Sequence, residues 1–292
     1  MIHRFFLIGL FVLYIILMTA LMIWQGIGIA PDRYAFVLLL AALLVKRTRS
    51  FLLDWVPFLF ILISYDFLRG FADNLGQRVH FVELIEMEKY LFGKVWTTQL
   101  QSDFFNPAYL TWYDFVATIF YFLHFALPLA FAFLLWVNNR SYFRRFVLSI
   151  SLLSYAAWIT FMIYPAAPPW MAAQNGFLPE TTKILDFTLN LFPEKVSLPT
   201  IYHKITPNPV AAMPSLHGAY PMLVLLYSIR FFGIKGIIFL PYVILAWLSM
   251  VYLGEHYLID LIAGAIYSLV FFLLTETVLI KSYARVKTFF NY

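Results

Sequence analysis

The stretch 254-GEHYLIDLIAGAIYSLVFFLLTETVLI-280 decides the fold. Its apolar run, 257–280, is long enough to cross a bilayer, which takes ~20 helical residues. At its mouth stand His256 and Asp260, four residues apart and so on one helical face. A carboxylate beside an imidazole fixes the ring's tautomer and orientation. It also stabilises the imidazolium that forms when the other ring nitrogen reacts. H-x-x-x-D also arises by chance as a polar helix start. Position weighs for chemistry, because an ionisable pair at the start of a membrane helix is costly to hold there.

Working outward, further apolar runs occur at 5–25, 34–46, 50–68, 113–136, 145–164, 215–233 and 236–253. The chain of 292 residues is 63% hydrophobic and 12% charged, whereas a soluble domain is nearer half and a quarter. The expected fold is therefore all-α, a polytopic transmembrane helical bundle of about eight crossings. It forms a single integral membrane domain: accessory helices over 1–49, a core over 50–280 and a tail over 281–292. The 34–46 run is short, and Lys46 and Arg47 would have to snorkel. The 5–25 run exceeds a signal-peptide core and lacks a small-residue cleavage site, so it reads as a retained first helix. With no cysteine, a disulfide, a thiolate metal site and a cysteine nucleophile are all excluded.

Basic residues set the orientation. Lys46, Arg47 and Arg49 share one loop, and Arg140, Arg144 and Arg145 another. Arg230 and Lys235 bracket a third, and Lys281, Arg285 and Lys287 follow the last run. Eight crossings put all four clusters on one side, which the positive-inside rule makes cytoplasmic, with both termini. The net charge of +5 thus follows from topology rather than from a nucleic-acid partner. The opposite, extracytoplasmic or lumenal face receives 69–112, 165–214 and the Gly254–Glu255 turn. There HFVELIEMEKYLF (80–92) places Phe81, Leu84, Ile85 and Tyr90–Leu91 at helical spacing, as an amphipathic helix in the outer interface would. Tyr90, Trp96, Tyr109, Trp112 and Tyr113 crowd the same region like an aromatic belt.

A second histidine shares that face. In MPSLHGAY (213–220), His217 opens the 215–233 run behind Pro214 and Ser215, a helix-start signal. Backbone N–H groups at a helix N-terminus attract anions, so a phosphate could rest near 214–218, beside Ser215. Of six histidines, His217 and His256 alone open membrane helices on one compartment's side; the others are His3, His80, His124 and His203.

PSLH followed by HYLID resembles the type 2 phosphatidic acid phosphatase superfamily. Its signature has a lysine-to-arginine-proline part, P-S-G-H, and S-R-x5-H-x3-D. Here the second part reads Pro214-Ser215-Leu216-His217, and the third Ser249, His256 and Asp260. Arg-Pro occurs nowhere, Leu216 replaces the glycine, and Met250 replaces the phosphate-gripping arginine. These departures resemble the inositol phosphorylceramide synthase-like branch, as do YPAAPPW (164–170), NPVAAMPSLH (208–217) and MVYLGEHYLIDLIAG (250–264). YDFLRGFAD (65–73), LFG (91–93) and YFLHFALP (121–128) are similar to its bacterial relatives.

The resemblance implies a six-helix phosphatase-like core and assigns roles. His256 would take the phosphoryl group, Asp260 would orient it, and His217 would protonate the leaving oxygen and then activate the acceptor. It implies no metal or other cofactor, and the sequence shows no acidic cluster of the kind magnesium needs. Charge on a transferring phosphoryl group still needs cations or donors. Arg69, after Asp66 at the outer end of its helix, is the first candidate, with a snorkelling anchor as the alternative. Lys204 and His203 come next. His124 lies about 16 Å along its helix at 1.5 Å per residue, either reaching the site from below or hydrogen-bonded inside the bundle. Asn208 is a substrate-side candidate that also suits a loop-shaping role. Trp170 either lines a lipid path or anchors the interface.

Three functions stay open on these grounds. One is a phosphotransferase carrying a phospho-headgroup such as phosphoinositol from a phospholipid donor to a lipid alcohol acceptor at the outer leaflet. The second is a lipid phosphate or diphosphate phosphatase with water as acceptor. The third is a non-catalytic transporter or scaffold, against which stands the lack of inverted repeats. The altered motifs favour the first.

Overall fold

A computed structural model describes Leu38 and residues 48–69, 78–190 and 208–280. The predicted run 5–25, most of 34–46, the tail 281–292, and the candidates His203 and Lys204 lie outside the described residues. Regular structure among the described residues is helical, apart from isolated parallel bridges joining His80, Ala166 and Ala211.

Helix α1 is Thr48–Arg69; α2, Val82–Phe92, and α3, Trp96–Phe104, are short. Helices α4, Trp112–Asn138, and α5, Arg140–Ile163, form a long hairpin. The short α6, Pro169–Gln174, and α7, Ile184–Asn190, follow. Then come α8, Leu216–Phe232, a 3-10 segment, Gly233–Phe239, and α9, Leu240–Tyr252. Last are α10, Leu258–Leu273, and a π-helical extension, Leu274–Leu279. Among the described residues, five stretches are long and apolar enough to cross a membrane: 49–69, 112–138, 140–163, 216–252 and 258–279. The fourth folds back on itself. Ser228 donates its hydroxyl to the carbonyl of Gly236 at 2.8 Å, closing the 3-10 segment against the end of α8. Helix α9 then returns antiparallel, so the chain leaves and re-enters the same end of the bundle.

The caps follow the local sequence. Asp114 in the first turn of α4 accepts from both the N–H and the hydroxyl of Thr111, each at 2.7 Å. Asn139 accepts from the N–H groups of Ser141 and Tyr142, which starts α5 directly after α4 stops. With 27 residues, α4 is ~40 Å long, beyond the ~30 Å of a hydrocarbon core. His124, twelve residues into α4, lies beside His217 in the first turn of α8, so the first turns of α4 extend past the start of α8.

Two glycines set how closely α8 and α10 pack. A Cβ on Gly264 would lie 2.3 Å from the carbonyl oxygen of Ser215, and one on Gly218 would lie 3.1 Å from the Cα of Leu261. Ser268 donates to the carbonyl of Ala219 at 2.7 Å farther along the same seam. The N-terminal turns of α8 and α10 are thus pressed together, and they carry His217 and Asp260.

Charges gather at the other end. Asp54 of α1 is paired with Arg140 and lies 3.9 Å from Arg144. Glu276 accepts from Arg145 at 3.1 Å and Arg230 at 3.3 Å. The predicted loop clusters around 140–145 and 230 therefore share one end, opposite the histidines.

Helix α2 forms where the amphipathic pattern predicts, with a different inward face. Leu84, Ile85 and Glu88 are buried, while Tyr90 is 88% exposed and Val82, Met87 and Leu91 are also exposed. Tyr90 and Leu91 belong to an outward apolar face that suits a lipid interface. The protein-facing side includes a carboxylate.

Candidate active site

His217, second residue of α8, and His256, in the turn between α9 and α10, meet directly. Nδ1 of His217 lies 2.7 Å from Nε2 of His256. Behind His256, its Nδ1 faces Oδ2 of Asp260 at 3.4 Å. That oxygen also accepts from the N–H of Tyr257 at 2.9 Å, while Oδ1 is buried with no hydrogen-bond partner. The geometry implies a proton order. Nδ1–H of His256 donates to Asp260, which leaves a lone pair on Nε2. His217 then donates its Nδ1 proton to that lone pair.

The backbone holds this turn. The N–H groups of Glu255 and His256 both donate to the carbonyl of Met250, at 3.1 and 3.3 Å. Thr97 on α3 donates to the carbonyl of His256 at 3.2 Å. The N–H of Ser215 donates to the carbonyl of Asp260 at 3.0 Å, joining the two motifs through the main chain.

A cavity of about 490 Å³ opens over the pair. Its wall includes Tyr65, Arg69, Tyr121, His124, Trp170, Lys183, Asn208, Leu216 and Glu255 as well as both histidines. Arg69 is thus brought to the site, and Lys183 supplies a second cation. His124 packs edge-on against His217 with ring centroids 4.1 Å apart, and its Nδ1 is hydrogen-bonded to the carbonyl of Tyr121. It is both a cavity residue and a satisfied one. The overshoot of α4 explains how a residue twelve positions from the helix start reaches the first turn of α8.

Asn208 lines the cavity, yet both ends of its amide serve the backbone: Nδ2 donates to the carbonyl of Arg69 at 3.2 Å and Oδ1 accepts from Val210 at 2.9 Å. Ser215 is fully buried and caps α8, accepting from the N–H of Gly218 at 3.2 Å. It sits behind His217 and outside the cavity lining. Leu216, in the place of the signature glycine, lines the wall. Met250, in the place of the signature arginine, is buried in an apolar cluster with Val251 and Leu261 and does not reach the cavity.

Several groups escaped the sequence reading. Tyr121 stacks on His217 with centroids 5.1 Å apart; its spacing of three from His124 was the available signal. Glu255 lines the cavity beside His256. Burial pushes its carboxyl up, against the charges of Lys183 and His256. Glu88, 0% exposed, accepts from the N–H of Trp96 at 2.9 Å and of Ile259 at 3.4 Å. It ties α2 to the starts of α3 and α10, and burial pushes its carboxyl up to about 7.

Two imidazoles backed by a carboxylate, under a cation-bearing cavity at one end of a membrane bundle, define a class of phosphoryl-handling membrane proteins. A sequence model of the PAP2 superfamily matches residues 83–274, and the chain belongs to that superfamily. The chain is 31% identical over 247 residues to the phosphoinositol dihydroceramide synthase of Bacteroides thetaiotaomicron, covering 80% of this chain and 79% of that protein. It is 31% identical over 39% of its length to the inositol phosphorylceramide synthase catalytic subunit of Saccharomyces cerevisiae, covering 29% of that subunit. It is 26% identical over 53% of its length to the inositol phosphorylceramide synthase of Candida albicans, covering 34% of that protein. No solved structure matches the chain. This protein is an integral membrane enzyme acting on lipid phosphoesters, a lipid phosphotransferase.

Proposed function

We propose that the protein transfers phosphoinositol from a phospholipid donor to the primary hydroxyl of a ceramide-type acceptor, through a phosphohistidine on His256. The observation that carries this reading is the contact between His217 and His256 with Asp260 behind it. At 2.7 Å the two rings leave no room for phosphorus between them, so a phosphodiester must replace their shared hydrogen bond. Reaction then needs ~3–3.5 Å from Nε2 of His256 to phosphorus, and ~2.6–3.2 Å from Nδ1 of His217 to the leaving oxygen. A small displacement of the His217 ring supplies both.

The proton bridging the rings is then the one that His217 delivers. The lone pair on Nε2 of His256 attacks phosphorus, the bond to the diacylglycerol oxygen breaks, and that oxygen takes the Nδ1 proton of His217, which enters the step as imidazolium and leaves it as the neutral ring. Asp260 stabilises the cationic ring that results. In the second half His217, now a base, removes the proton of the acceptor hydroxyl. The new oxygen–phosphorus bond forms as the nitrogen–phosphorus bond breaks. Arg69 and Lys183, both on the cavity wall, would offset the phosphoryl charge in place of the signature arginines.

The arginines of Asp54 and Glu276, at the far end, support a cytoplasmic assignment for that end and an extracytoplasmic or lumenal site. The test is the purified protein with inositol-labelled phosphatidylinositol and a short-chain ceramide. We expect a labelled phosphoinositol-ceramide product, and a labelled adduct on the His256 peptide recovered at neutral or basic pH. His256→Ala is expected to lose both, with turnover down roughly 10⁴-fold or more. Wild-type turnover by that variant would refute the assignment. Soluble inositol phosphate released with no acceptor consumed would convert the reading to hydrolysis.

A further inference from the structure

The cavity carries polar groups that phosphoryl transfer does not use. Glu255 and Trp170 both line it, and Oε1 of the one and Nε1 of the other are buried without a hydrogen-bond partner. One is an acceptor and the other a donor. A buried polar atom left unmet costs about 1–3 kcal/mol, so a lone one asks for an explanation and two of opposite kind on one wall point to a ligand.

Their placement is built rather than incidental. The N–H of Trp170 donates to the carbonyl of Gly254 at 3.2 Å, fixing the first turn of α6 to the turn that carries Glu255 and His256. Nζ of Lys183 sits 5.2 Å from the centroid of the Trp170 ring and 3.3 Å from Oδ1 of Asp186. Lys183 also acts on Glu255, drawing its carboxyl down against the upward push of burial. Glu255 directly precedes His256, so a group esterified to a phosphorus held at His256 falls within reach of this cluster.

We propose that Glu255 and Trp170 form the subsite that selects the donor's headgroup, and that they select a neutral polyol. This inference rests on the phosphoinositol-transfer reading above. A hydroxyl both donates and accepts, so neighbouring ring hydroxyls can donate to the Glu255 carboxylate and accept from the Trp170 indole. A carboxylate alone would welcome ethanolamine or choline. Lys183 offsets part of that preference, because an ammonium headgroup would meet the lysine's charge beside the carboxylate; Asp186 shares that charge, so the indole carries the larger part of the discrimination. A polyol pays no such cost. An amino headgroup would leave the indole N–H unmet, and a site built for hydroxyls discriminates strongly against analogues lacking them.

The test compares two donors with one acceptor in detergent–lipid micelles: phosphatidylinositol and phosphatidylethanolamine. We expect the wild type to favour the inositol donor in kcat/KM by roughly 10²-fold or more. Glu255→Gln and Trp170→Phe should each raise KM for phosphatidylinositol by about 10-fold, move kcat less, and narrow the donor ratio. The ratio does not depend on how much of each variant folds, so partial misfolding cannot mimic the result. If both variants keep the wild-type ratio while the His256 adduct still forms, the subsite is refuted and the transfer reading stands. If the wild type gives neither adduct nor product with either donor, both fall.

Discussion

The two ends of the bundle treat buried carboxylates in opposite ways. At the far end, Asp54 is met by Arg140, Arg144 and the indole N–H of Trp136, and Glu276 by Arg145 and Arg230. At the site end, Asp260 is met by an imidazole and a backbone N–H, with one oxygen unmatched, and Glu255 also keeps an oxygen unmatched. Arginine cannot give up its proton, so the far-end pairs are permanent and can only hold helices in register. Imidazole can gain and lose a proton near neutral pH, so the site-end pair can change state during turnover. Unmatched atoms occur at both ends, since Oε1 of Glu276 and Nε of Arg145 also lack partners, but only Glu255 among these residues lines the cavity. The ends differ in the proton, which is fixed at one and exchangeable at the other.

The sharpest way to break that contrast is Asp260→Asn. An amide behind His256 can donate to Nδ1, which reverses the tautomer and puts the proton on Nε2, where the lone pair is needed. We expect kcat for inositol-headgroup transfer to fall roughly 10³–10⁴-fold with KM little changed. The thermal unfolding midpoint should move by only a few degrees. A loss below tenfold would mean that the carboxylate does not set the tautomer, and that the 3.4 Å contact is incidental.

Asp54→Asn tests the other end. The substitution keeps an acceptor for Trp136 but removes the charge shared by two arginines. We expect roughly 2 kcal/mol of lost stability, less than a fully buried pair would cost, because Arg140 and Arg144 are partly solvated. The midpoint in detergent should drop while the folded fraction keeps its turnover number. A parallel fall in turnover at equal folded protein would show that the far end reaches the site, and the division between the two ends would fail.

Much of this arrangement was legible in the chain. Apolar runs of crossing length gave the described crossings, because in lipid every backbone polar group must be satisfied within a helix. The helix-start signal at Pro214–Ser215 and the His256–Asp260 pair at the mouth of the last run put both histidines at one end. Depth was not legible. His124 seemed well below the mouth, and it reaches His217 because α4 overshoots, a length set by the Thr111–Asp114 cap. Nor was the fate of Met250, since the missing arginine reads as a hole in the site when the side chain in fact joins an apolar cluster. Glu88 was hidden most completely. Within EMEK a glutamate reads as a solvated face, and only tertiary packing turns it inward onto the start of α10.

That residue gives the smallest effect. Glu88 accepts from Trp96 and Ile259, so its carboxyl clamps α2 to the helix carrying Asp260. Burial holds its pKa at about 7 in the folded protein, against 4.5 as a free side chain. The folded state therefore binds the proton more tightly than the unfolded state between those values. Stability must fall as pH rises through the folded pKa, because the clamp then carries a buried charge. Between pH 6 and 8 this amounts to about 1 kcal/mol. We expect the unfolding midpoint in detergent to decline over that interval in the wild type. In Glu88→Gln, which keeps an acceptor but cannot ionise, the decline should flatten by that amount. An equal slope in both proteins would show that Glu88 is not the titrating group. The far end offers an internal control: Asp54→Asn should lower the whole curve without changing its slope between pH 6 and 8.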